Sequence, residues 1–126
     1  MRHNHGMTVV LLPGMDGTGR LFKPFVKLLP QRVGVRIINY PGHVYLNYEQ
    51  LASRVRNELP AGEPFIIVAE SYSGPIALTL AAQPVGGLLA VVLVSSFVSR
   101  PLGVLGAWVA RLPLAAILRV RAPSRC

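Results

Sequence analysis

Four short runs along the chain are apolar at nearly every position: "TVVLL" (8–12), "VRIIN" (35–39), "FIIVA" (65–69) and "VVLVS" (91–95). Each is rich in β-branched residues, and unbroken apolarity over so few positions is the mark of strands in a parallel sheet covered on both faces. The runs start 26–30 residues apart, which leaves room for a crossover helix between each pair. The segments between them change to a helical period. Phe22, Phe25, Val26 and Leu29 form one stripe within 20–29, and Pro24 falls where a first helical turn tolerates it. Tyr48, Leu51, Val55 and Leu59 form another within 47–59, with Asn47 placed to cap it. Residues 73–83 are apolar almost all round, which predicts a helix in the middle of a domain. A last helix over roughly 102–120 is interrupted by Pro113.

Strand and helix alternate throughout, which predicts an α/β fold: a doubly wound, mostly parallel sheet of about four strands with flanking helices. The expected spatial order places the second run outermost, then the first, third and fourth. The switch point then lies between the C-terminal ends of the first and third runs, where open α/β sheets hold their sites.

Composition sharpens this reading. With 52% hydrophobic and 14% charged residues among 126, the chain has a real core and is not intrinsically disordered. One domain is expected over 1–126, with 100–126 as a basic, apolar, lid-like or oligomerisation helix. The net charge of +8 raises the question of nucleic acid, but the arginines are scattered and no aromatic–basic interleaving occurs, so none is expected. Arg100, Arg111, Arg119, Arg121 and Arg125 crowd the C-terminal segment, which holds no acid. Such a segment suits a membrane surface or an acidic partner, or is simply a solvated helix face. The single cysteine, Cys126, permits no internal disulfide, and the apolar stretches fall short of the ~20 residues a membrane span needs. A cytoplasmic protein is expected.

Two motifs end the first and third runs. "PGMDGTG" (13–19) is a glycine-rich bend entering a helix, and "ESYSG" (70–74) places a serine on a strand-to-helix turn. Side by side, they offer a hydroxyl and backbone N–H donors for a developing oxyanion. With "INYPGH" (38–43) and "GGLLAVVLVSS" (86–96), in this order, they resemble the N-terminal half of an α/β-hydrolase of esterase or lipase type, over residues 8 to about 120. Ala69 and Ser73 stand where that family's elbow usually has glycines. The resemblance implies Ser71 as nucleophile, with the N–H groups of Tyr72 and Met15 as the oxyanion hole. Alternatively, Ser71 could serve as a helix N-cap. A phosphate-binding loop fits less well, since no lysine follows the glycines of 14–19.

A serine needs a base, and the family places its acid and histidine later in the chain. No Asp, Glu or His follows Glu70 here, so the resemblance stops before the usual acid and histidine. His3 and His5 precede the first run, at the far end of the sheet. His43 follows the second run and is the candidate base, with Asp16 as the candidate to orient it. Glu70 is a further candidate, though neighbours at a sharp elbow diverge. The expected function is a serine hydrolase acting on small carboxylic or aryl esters, without cofactor or metal. The alternative is a catalytically incomplete remnant, an oligomerising or partner-dependent module. The apolar strand 91–95 would be a bare edge, and helix 102–120 adds Leu102, Leu105, Trp108, Val109 and Leu112. Self-association through both is expected, and a partner chain could bring the missing histidine.

Overall fold

The computed structural model describes residues 6–96. His3, His5, the predicted helix 102–120 and the basic segment 100–126 with Cys126 lie outside the described residues. The elements are β1 (Met7–Leu12), a 3-10 turn (Arg20–Phe22) leading into α1 (Lys23–Leu28), β2 (Val33–Ile37), α2 (Tyr48–Glu58), β3 (Phe65–Glu70), a second 3-10 turn (Ser71–Ser73), α3 (Gly74–Ala81) and β4 (Leu88–Val94). All strand pairs are parallel, and the order across the sheet is β2-β1-β3-β4, as the crossover pattern predicts.

Alternation along the central strands divides the core in two. Val10 and Leu12 of β1 and Phe65, Ile67 and Ala69 of β3 face α2 and α3, packing on Leu51, Ala52, Val55, Ile76, Ala77 and Leu80. Val9, Leu11 and Val68 face the other way, against Phe22. Helix boundaries follow local chemistry. Pro24 sits in the first turn of α1. Asn47 caps α2 in a reciprocal box: its side chain accepts from the Gln50 N–H at 2.9 Å, and Gln50 Oε1 accepts from the Asn47 N–H at 3.0 Å.

Two strands differ from their apolar runs. β2 lies two residues earlier than 35–39, because pairing with β1 ends at Leu11–Ile37 and the chain then turns toward the cleft. Ile38 remains fully buried and Asn39 is exposed. β4 begins at Leu88 instead of 91, because Phe65 N–H already bonds to Gly87 C=O at 2.8 Å and draws the strand into register early. Among the described residues β4 is bordered by β3 alone, and Leu89, Val92 and Val94 are 63%, 38% and 42% exposed. No helix among the described residues is long and apolar enough to cross a membrane.

Candidate active site

β1 and β3 run side by side to the same edge, with Leu12 opposite Ala69, so the bend after β1 and the turn after β3 leave the sheet as neighbours. The bend closes on itself where Gly17 N–H bonds to Gly14 C=O at 3.0 Å. That bond uses the Gly17 donor and leaves the N–H of Met15 outside it. Gly17 has φ +66°, a left-handed conformation that glycine adopts without a Cβ penalty. Its carbonyl accepts from the Tyr40 N–H at 2.8 Å, which ties the bend to the loop after β2. Asp16 does not project freely: its carboxylate accepts from the Thr18 N–H at 3.3 Å and from the Thr18 hydroxyl.

After β3 the chain turns sharply. Ser71 has φ +43°, uncommon for any residue with a side chain and costing on the order of 1–2 kcal/mol. Its carbonyl is held by the Ser96 hydroxyl at 2.8 Å and by the Gly74 N–H. A Cβ on Gly74 would stand 2.9 Å from Ser96 Cβ, so the turn requires glycine there. Ser71 caps no helix through its side chain: it opens the 3-10 turn, whose N-cap is Glu70, and α3 is preceded by Ser73, neither with a side-chain cap bond. Tyr72 lies in the first turn of this helical stretch, where backbone N–H groups have no partner within the helix.

Ser73, read from the sequence only as a small residue, does more. It is fully buried. Its hydroxyl donates to the Pro13 carbonyl, and the Tyr40 hydroxyl lies 2.6 Å from Ser73 Oγ. With the Ser73 proton committed to Pro13, Tyr40 is the donor. One chain, Tyr40 to Ser73 to Pro13, thus links the ends of three elements. The sequence signal was a hydroxyl at a position that must be buried, since a buried polar atom requires a partner.

Burial pushes the Tyr40 phenol up from 10.0 to about 12; its bond to Ser73 opposes the shift and the nearby Tyr72 adds to it. A raised pKa means that the fold favours the neutral phenol. Its contribution is fully present below pH 10 and is lost as pH rises through about 12. Titration to pH 12 is therefore expected to cost roughly 2–3 kcal/mol through this group. Chemical denaturation at pH 9 and pH 12 checks it: Tyr40→Phe should be less stable than the parent at pH 9 and should lose less on titration.

A cleft of about 310 Å³ opens beside these groups, lined among others by Met15, Asp16, Tyr40, Tyr45 and Tyr72. Tyr48 stacks on Tyr72 with centroids 5.1 Å apart and planes at 28°. The structure thus brings Met15, Asp16 and Tyr72, the residue after Ser71, to one cavity. His43 is exposed on the loop after β2, between Gly42 and Val44, both of which line the cleft. Glu70 points to the other face of the sheet. It borders a second, mostly apolar cleft of about 250 Å³ with Leu21, Phe22, Phe25, Val68 and Val94. Its carboxylate packs against Gly14, where a Cβ would lie 3.4 Å from Glu70 Cδ. Asp16 and Glu70 therefore shape the bend from its two sides, a placement that sequence spacing alone does not reveal. A serine held at φ +43° at the end of a central strand, next to a glycine-rich bend, is suited to attack on a carbonyl whose oxygen becomes charged.

The model for the alpha/beta hydrolase family matches residues 9–125. No curated protein matches the chain.

Proposed function

Because the chain belongs to the alpha/beta hydrolase family, we propose that it is a serine hydrolase acting on small carboxylic or aryl esters through Ser71. The observation that carries this reading is the left-handed backbone of Ser71, φ +43°, at the end of a central strand. Strain of this kind persists only where the surroundings impose it, and it lifts the hydroxyl off the sheet toward substrate. Ser71 Oγ attacks the carbonyl carbon and gives up its proton to a base. The Met15 and Tyr72 N–H groups receive the charge that develops on the carbonyl oxygen. The tetrahedral species expels the alcohol, which takes the proton back. Water then cleaves the acyl-serine by the same steps. Within this chain the base is His43, on the loop that flanks the cleft, while the Asp16 carboxylate is held by Thr18 in the bend. A fluorophosphonate probe tests the nucleophile: an adduct mapped to Ser71 supports the reading, and an unlabelled Ser71 removes it.

A second reading concerns partners, and the exposure of β4 favours it. Val92 and Val94 leave an apolar strand at the sheet edge among the described residues. Such strands pair with other chains unless they are covered. We propose self-association through strand 91–95 and the segment 102–120, which would also make the chain a partner-dependent module if the base comes from a second copy. Sedimentation at micromolar concentration should give a dimer or larger species, and Val92→Lys should shift it toward monomer. A monomer at every concentration removes this reading.

A further inference from the structure

All four tyrosines of the chain gather at one place. Tyr40, Tyr45 and Tyr72 line the cleft, and Tyr48 stacks on Tyr72. Asp16 is the one carboxylate among the lining residues, and no lysine or arginine of the described residues joins it. This is notable in a chain with 13 basic and 5 acidic residues, whose overall balance would favour an anionic ligand. The cleft is where the basic side chains are missing.

Aromatic faces carry a negative quadrupole and attract cations, above all weakly hydrated alkylammonium groups that lose little on leaving water. The carboxylate of Asp16, held in place by Thr18, adds a full negative charge at the cleft wall. Burial pushes the Tyr72 phenol up, and the neighbouring Tyr48 and Tyr45 hydroxyls push it further. The stacking of Tyr48 on Tyr72 fixes one wall before any ligand arrives, which lowers the ordering cost of binding. The overall positive charge acts at long range and is screened beyond about 8 Å at physiological salt.

We propose that this cleft binds an organic cation of the quaternary alkylammonium class. Resting on the reading of Ser71 as nucleophile, the substrate is then an ester that carries such a group on its acyl or alcohol side.

The test uses the full chain and two probes of similar size, the tetramethylammonium ion and neutral tert-butanol, followed by NMR. Tetramethylammonium should bind about tenfold more tightly than tert-butanol, with its methyl resonance moving upfield as it enters the ring faces. Tyr45→Leu and Asp16→Asn should each weaken the ion about threefold or more and leave tert-butanol unchanged. Tyr45 is 91% exposed, so its replacement leaves the core intact. Equal binding of the two probes, or binding of the ion that neither substitution alters, overturns the proposal. Ser71→Ala should bind tetramethylammonium as the parent does. Cation binding without a fluorophosphonate adduct would therefore sustain the cleft assignment and remove the esterase reading, and an adduct without cation selectivity would do the reverse.

Discussion

Ser71→Ala is expected to reduce aryl acetate hydrolysis by about a hundredfold or more, down to the residual rate of a site without a nucleophile. The magnitude follows from what the serine supplies. Without its oxygen no acyl-enzyme forms, and water must attack the carbonyl directly, with the proposed backbone donors giving only the residual acceleration of an oxyanion site. The substitution keeps the shape of the turn. Alanine is smaller than serine, and the contacts that hold residue 71 run through its carbonyl to Ser96 and Gly74, not through its hydroxyl. Alanine must still accept φ +43°, as serine does now. Thermal unfolding of the variant should therefore match the parent closely while turnover disappears. Parent and variant turning over alike would remove Ser71 from the chemistry.

The placement of this serine was legible in the sequence because three levels of pattern coincide there. The apolar run 65–69, the small residues Ala69 and Ser73 and the apolar segment that follows all require a tight strand-to-helix turn at 71. The sheet order was legible for a similar reason. Right-handed crossovers leave few topologies for four alternating strands and helices. The interior polar contacts were not legible. Ser73 is 60 residues from Pro13 and 33 from Tyr40, and only the parallel register of β1 with β3 brings them into contact. Asp16 was a candidate to orient His43; its carboxylate accepts from Thr18, two residues on, because a short acidic side chain in a bend finds nearby backbone and hydroxyl donors first. Strand edges shifted for a comparable reason. Apolar runs mark which residues are buried, and hydrogen-bond register decides where pairing begins and ends, as Gly87 does for β4.

Ser73→Ala carries the second large expectation, a loss of about 2–4 kcal/mol in stability together with a fall in turnover. The alanine fits, since nothing is added, but two buried groups lose their partner at once. The Pro13 carbonyl loses a donor and the Tyr40 hydroxyl loses an acceptor. Each unpaired buried polar group costs about 1–3 kcal/mol, more than the bond itself contributes in a folded chain. Pairing Ser73→Ala with Tyr40→Phe tests the cause. Phenylalanine removes the orphaned hydroxyl, so the double variant should lie well short of the sum of the single losses, with a coupling of about 1 kcal/mol or more. Strict additivity would mean that Ser73 acts by volume alone. The activity side follows from geometry. Pro13 begins the bend that presents the Met15 N–H, and Ser73 closes the turn that presents Ser71, so their hydrogen bond sets the distance between the proposed donor and nucleophile. A displacement of about 1 Å between such groups costs on the order of a hundredfold in rate. Turnover of Ser73→Ala, measured well below its melting temperature, should therefore drop further than the folded fraction does, while labelling of Ser71 slows without being lost.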